Sequence, residues 1–261
     1  PGGPATFMLP TEKYPLPTKK TVPSSSLWDY SILVFGSPGV GKSSFSVHAP
    51  GSFVFPWEPG LKSKSVLMAP YPLTWEKFRS YVRQIPERND IQTVVLDTVE
   101  PAYKACSHWV CQKNGWEYPG DADYGKGWDK VEQEFSEQIG HLMNCQKGLL
   151  LLAHTDQVEV KQRGKEPYHK VVPDLSKQAR KLFNRTVDLV CYYYYTDRGS
   201  RALCLRGNEV VEAKCRIEGH FLNQKGELIN ELPMDFGKEK DPGKHAFNQF
   251  VQAFENKYIE R

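Results

Sequence analysis

VFGSPGVGKSSF, residues 34–45, runs from a short apolar stretch into glycine and proline and ends in lysine and serine. Three glycines and a proline set against a buried strand mean that something approaches that backbone closely. Gly36, Ser37, Pro38, Gly39, Val40, Gly41, Lys42 and Ser43 match the pattern G-x-x-x-x-G-K-[ST], with an apolar strand before them and the helix-compatible Ser44 and Phe45 after them. In that setting the glycines let backbone N–H groups turn inward around phosphate oxygens, and a helix N-terminus adds its positive end. Lys42 then neutralises the β- and γ-phosphates of a nucleotide, and the Ser43 hydroxyl completes Mg²⁺ coordination. The bland alternative is a glycine-rich turn with an incidental lysine.

The partners of a phosphate loop belong at the tips of neighbouring strands. Asp97 ends the apolar run TVVLD and is placed to hold Mg²⁺ through a water, or else to cap the helix that follows. Glu58 follows SFVFPW, where it can polarise an attacking water as general base or stand as an exposed loop carboxylate. His154 closes GLLLLA, where a γ-phosphate sensor or a plain strand-end histidine would sit.

Apolar runs alternate with helical patterns outward from this point. SILVF, SFVF, TVVLD and GLLLLA read as buried strands. TWEKFRSYVRQI (residues 74–85) and DKVEQEFSEQIGHLMNC (residues 129–145) are amphipathic at helical spacing, and PAYKACSHWVCQKN opens with proline at a first helical position. Continuous apolar strands separated by helices predict an α/β fold, a mostly parallel sheet with helices on both faces. After about residue 187, VDLVCYYYY, RALCLR and EVVEAKCRI predict antiparallel hairpins that extend the sheet, and HAFNQFVQAFENKY predicts a last helix. Residues 1–28, rich in Pro, Ser, Thr and Lys, read as an arm with at most one strand, at Thr21 and Val22; residues 29–261 read as one domain.

The chain has 261 residues, enough to bury a full core, and 25% charged residues, an ordinary globular value. A net charge of +3 is too small to argue for nucleic acid without local patches. No apolar stretch approaches the roughly 20 residues of a membrane helix. No signal-peptide pattern is visible, so the expectation is a cytoplasmic protein with no membrane partner. Cys106, His108 and Cys111 form a loose Cys-x-His-x-x-Cys string that reads as reduced thiols before it reads as a zinc site.

Together, GSPGVGKSS, the glutamate of FVFPWEPG, VVLDTVEPAY, YGKGWDKV, LLLLAHT and EAKCRI resemble the RecA-like P-loop ATPases over residues 21–217. Within that group the chain resembles the small, single-domain, AAA-family ATP-binding proteins of phages that act in DNA recombination and single-strand annealing. The resemblance implies a RecA-like core that hydrolyses ATP with Mg²⁺ between protomers of a ring or filament, in the host cytoplasm if phage-encoded. It also implies Lys42, Glu58, Asp97 and His154 as catalytic residues. Family members often carry Lys-x-Arg on a late strand reaching the neighbour's γ-phosphate, and Lys214 and Arg216 match it; the alternative is a charged edge strand. The sequence departs from the family in the Pro and Trp of FPWEPG and in His154, where Gln or Asn is common.

The resemblance further implies that the loop after the sensor strand faces single-stranded DNA, with a single-strand-binding protein as a further partner. Here that loop carries Lys161, Arg163, Lys165, Lys170, Lys177, Arg180, Lys181 and Arg185, with Tyr168 and His169 interleaved. Cations that track a backbone plus a stacking ring suit single-strand binding, although a charge run is more often a solvated face. An earlier loop around Tyr124, Lys126 and Trp128 supplies aromatics, although Trp128 also fits packing under the next helix. A P-loop motor, a helicase-like subunit or a small-molecule kinase remains the competing class.

Overall fold

A computed structural model describes residues 17–234 and 241–259. The chain enters through a short 3-10 turn, Leu27–Asp29, whose Leu27 is buried and whose Trp28 stacks on Phe247. Then follow β1 (Ser31–Gly36), α1 (Lys42–Ser46), β2 (Ser52–Pro56), β3 (Leu67–Met68), α2 (Trp75–Gln84), β4 (Thr93–Asp97), α3 (Val99–Asn114), α4 (Lys126–Asn144) and β5 (Gly148–Ala153). The second half holds β6 (Thr155–Val160), β7 (Tyr168–Pro173), α5 (Lys177–Thr186), β8 (Leu189–Tyr195), β9 (Arg201–Cys204), β10 (Lys214–Cys215), β11 (Glu231–Pro233) and α6 (Pro242–Phe254).

The main sheet runs β11-β9-β8-β1-β5-β4-β2-β3, with β10 also paired to β8. Strands β8, β1, β5, β4, β2 and β3 are mutually parallel, and β9, β10 and β11 are antiparallel to their neighbours. The expected parallel sheet with helices on both faces and antiparallel additions is therefore what the chain adopts. Period-two alternation explains the layers. Leu33 and Phe35 face a core with Phe78 of α2, Ala102 of α3, Phe135 of α4 and Phe183 of α5. Ile32 and Val34 face the other core, with Phe45 of α1 and Phe250 of α6.

The amphipathic reading of α2 holds in detail. Thr74 caps it by accepting from the Lys77 N–H, and Trp75, Phe78 and Val82 are its buried face. Phe78 has no exposed surface, so Phe78→Ala should cost about 3–5 kcal/mol.

Register, more than composition, places the site. Pro56 lies beside Asp97, Asp97 beside Leu152, and Phe35 beside Ala153. In-register parallel pairing therefore brings the residues that follow these four strands into one row.

The arm, expected to hold at most one strand, forms none at Thr21 and Val22, and Val22 is 89% exposed. Two expectations change. The long basic segment after His154 is not a loop: it folds as the antiparallel hairpin β6–β7 and the helix α5. The strands β9 and β10 do not pair with each other, since both pair with β8 and the chain between them makes an excursion. Cys106 and Cys111 are buried in α3, and among the described residues no group of three His, Cys, Asp or Glu side chains is placed to hold a metal. Among those residues, too, no helix is long and apolar enough to cross a membrane.

Candidate functional site

The phosphate-loop pattern begins on the last residue of β1. Gly36 lies beside Tyr193 of β8, and a Cβ there would fall 2.0 Å from the Tyr193 carbonyl oxygen. The adjacent strand alone already requires glycine here. The other two differ: Gly39 and Gly41 have φ of 79° and 112°, and beyond Gly39 there is open space. The Val40 N–H closes a turn onto the Ser37 carbonyl at 3.3 Å, and Gly41 stands as N-cap of α1. Because α1 has five residues, its dipole adds less than a longer helix would.

Lys42 is only 5% exposed, and its Nζ donates to the carbonyls of Gly36 (2.7 Å) and Ser37 (3.1 Å). Burial pushes its pKa down to about 8, partly opposed by Asp97 and Glu58. Asp97, at the tip of β4, is 7% exposed. Its carboxyl is raised above the usual range by burial, against a hydrogen bond with Ser43 and the charge of Lys42. Thr98, not Asp97, occupies the N-cap position of α3, and the Asp97–Thr98 peptide is cis.

Glu58, two residues beyond β2, and His154, just beyond β5, meet: His154 Nε2 lies 3.0 Å from Glu58 Oε2 and 3.3 Å from Oε1. These two, with Pro38, Gly39, Gly41, Lys42, Ser43, Ser44, Asp97 and Thr98, line one cleft of about 260 Å³. Lys42 and the three expected strand-tip residues, Glu58, Asp97 and His154, thus converge.

The cleft suits a magnesium nucleotide on its own terms. Ser43 and Asp97 pair a hydroxyl with a buried carboxylate, a hard oxygen donor set. The buried Thr98 Oγ1 and His154 Nδ1 have no partner among the described residues. Polar atoms left so are expected where a ligand completes the bonding.

Sequence reasoning missed Tyr195 and Arg201, which touch the loop from the β8–β9 hairpin. Tyr195 Oη donates to the Gly39 carbonyl and Arg201 Nε to the Val40 carbonyl. Their spacing from the motif carries no local signal; only the strand register brings them there.

Lys214 and Arg216 lie at the other end of the sheet. β10 pairs with Leu189 and Val190 of β8, which flank Ile32 and Leu33 of β1. Gly36 is four residues along from Ile32, so neither cation reaches the phosphate loop of its own chain at roughly 3.3 Å per residue. Lys214 Nζ donates to the Asn184 carbonyl (2.6 Å), and Arg216 donates to the carbonyls of Arg185 (2.7 Å) and Asn184 (3.0 Å).

The hairpin β6–β7 starts directly after His154 and closes where the Asp174 N–H donates to the His154 carbonyl, so it springs from the cleft end of the sheet. Lys161, Arg163 and Lys165 are exposed near its turn, and Tyr168 and Lys170 are half-buried on β7. Lys161 pairs with Glu159 at 3.0 Å.

Residues 29–217, more than half of the chain, match a family model described as AAA domain. The chain belongs to the AAA domain family. This AAA domain is a P-loop nucleotide-binding fold whose matched span ends on Ile217, one residue past Arg216. Among solved structures, a KaiC-like protein from the hyperthermophilic archaeon Pyrococcus horikoshii is similar at 11% identity and a TM-score of 0.42, over 80% of this AAA domain chain and 87% of that one. No curated protein matches the chain in sequence.

Proposed function

We propose that this AAA domain hydrolyses ATP with Mg²⁺ and couples hydrolysis to single-stranded DNA, in recombination or single-strand annealing. The observation that carries the hydrolytic part is the convergence of Lys42, Ser43, Glu58, Asp97 and His154 in one cleft. Lys42 balances phosphate charge; Ser43 and Asp97 would hold a Mg²⁺ ion, which would help neutralise the charge that builds on the transferred group. Glu58 takes the proton of the attacking water, and His154 fixes the orientation of the Glu58 carboxylate.

Support for DNA comes from the hairpin and helix that follow His154. Lys161, Arg163 and Lys165 are exposed on the hairpin, and Lys177, Lys181 and Arg185 are exposed on α5 at four-residue intervals that put them on one helix face. The motif resemblance supports the recombination or annealing context.

ATP turnover with and without single-stranded DNA, in the wild type and in Glu58→Gln, tests the reading. DNA should raise wild-type turnover. Glu58→Gln should bind ATP normally and turn it over about a hundredfold more slowly. Equal loss of binding and turnover would make Glu58 structural, and wild-type turnover indifferent to DNA would remove the DNA part.

A further inference from the structure

The turn of the β8–β9 hairpin is tied to the apex of the phosphate loop. Tyr195 and Arg201 face each other on the rung next to the hairpin turn. Tyr195 Oη donates to the Gly39 carbonyl at 3.1 Å, and Arg201 Nε donates to the Val40 carbonyl at 2.9 Å. Arg201 Nη2 also donates to Tyr195 Oη at 3.1 Å, with the guanidinium 5.0 Å from the Tyr195 ring centroid. The turn between them is itself closed, by Thr196 N–H to the Ser200 carbonyl and Gly199 N–H to the Thr196 carbonyl, each at 2.8 Å.

We infer that Tyr195 and Arg201 are positioning residues, which select the one orientation of the phosphate loop that can receive a nucleotide. A trans peptide is planar, so its C=O and the next N–H point in opposite directions. Holding the Val40 carbonyl on the hairpin side turns the Gly41 N–H away from the hairpin. Holding the Gly39 carbonyl keeps the Val40 N–H in its turn onto Ser37. The loop needs such a selector because Gly39 and Gly41 flank these peptides. Glycine adopts positive and negative φ almost equally well, so the backbone alone does not prevent a flip that would aim a carbonyl oxygen at phosphate. Arg201 adds positive charge behind the same peptide.

The consequence for nucleotide binding rests on the cleft being an ATP site; the ordering of the loop does not. The test therefore has one readout without nucleotide and one with it. Amide hydrogen exchange in the nucleotide-free full chain should show residues 36–43 exchanging about tenfold faster in Arg201→Ala, the worth of one charge-assisted hydrogen bond, while residues 189–195 keep wild-type protection. Tyr195→Phe should move the loop in the same direction by less. The two effects should fall short of additive in the double variant, because the residues bond each other. With Mg–ATP, Arg201→Ala should raise KM about tenfold and leave kcat nearly unchanged, the pattern of lost uniform binding, and Arg201→Lys should recover part of it. Three results overturn the inference. Unchanged loop exchange with a raised KM would mean that Arg201 touches the nucleotide directly. Faster exchange throughout β8 and β9 would make the pair a fold contact only. A fall in kcat with KM unchanged would place Arg201 at the reacting phosphate. If the wild type binds no Mg–ATP, the ATP reading fails, and loop exchange alone then decides whether the pair orders the loop.

Discussion

The two ends of the parallel sheet use similar polar residues in different ways. At the end where β1, β2, β4 and β5 finish, Lys42 and Asp97 are nearly buried, with the lysine pKa pushed down and the carboxyl pushed up, each by its burial. Thr98 and His154 keep buried atoms without partners among the described residues. At the opposite end the charged groups pair locally, although the buried Thr93 Oγ1 at the start of β4 also lacks a partner among the described residues. Asp188 accepts from the N–H and Oγ of Ser31, both at 2.8 Å, and its own N–H donates back to Ser31 Oγ. Lys214 and Arg216 donate to the last carbonyls of α5, where the negative end of a helix favours cations. Buried charge without a full set of partners costs free energy that a ligand can recover, whereas a self-satisfied network leaves a ligand little to add. The first end is therefore read as the site and the second as scaffold.

The largest test of that contrast is Lys42→Ala. It removes a phosphate-neutralising charge from the cleft, and ATP turnover should fall by about 10²–10³. The unfolding midpoint should hardly move, since the residue lost was a poorly solvated cation. Undiminished turnover would end the contrast, because the buried lysine at this end would then have no ligand to serve.

Replacing Lys161, Arg163 and Lys165 together with alanine asks whether the site end extends along the hairpin. If each contacts a phosphate of single-stranded DNA, the slope of log affinity against log salt should flatten by about 2. An unchanged slope would confine the functional end to the nucleotide cleft and leave the hairpin as a solvated face.

Lys42 also sets a pH dependence. In the free protein it loses its proton as pH rises through about 8. Bound phosphates favour the charged form, so binding above that pH must take up a proton. Mg–ATP affinity should fall as pH rises past about 8, by up to about tenfold per unit. Calorimetry in buffers of different ionisation enthalpy should detect the uptake in the wild type and not in Lys42→Ala.

How much of this was legible in the sequence follows from whether the signal was local. The runs TVVLD and GLLLLA announce β4 and β5 because both faces of those strands are buried, and each run ends on or next to a residue of the cleft. Glu58 could be placed despite an atypical FPWEPG, because Pro56 still pairs with Asp97. The hairpin β6–β7 hid because most of its residues are exposed or half-buried, so a basic, glycine-containing stretch reads as loop. β3 has two exposed residues and no periodicity to detect. Gly36 matches the motif, but the motif does not announce that it also admits the Tyr193 carbonyl oxygen, a contact made by a strand some 150 residues later in the chain. Tyr195 and Arg201 were invisible for the same reason.

Arg216 is where the contrast between the two ends is most exposed. The motif resemblance assigns it to a neighbour's γ-phosphate, and its own chain employs it at the end of α5. There it makes two of the hydrogen bonds that satisfy the last carbonyls of the helix, and the side chain stands in solvent. If capping is its whole role, Arg216→Ala should lose about 1 kcal/mol of stability to chemical denaturation, a charged hydrogen bond discounted for exposure, and should keep its turnover per site. Mixing it with Lys42→Ala protein should then return only the activity that the Arg216→Ala share brings. The scaffold reading predicts this result. The opposite pattern is as clear: Arg216→Ala inactive alone while still folded, with turnover restored on mixing because one interface pairs an intact phosphate loop with an intact arginine. In that case the arginine leaves the α5 carbonyls on assembly, and the two ends of the sheet are two halves of one site contributed by different protomers.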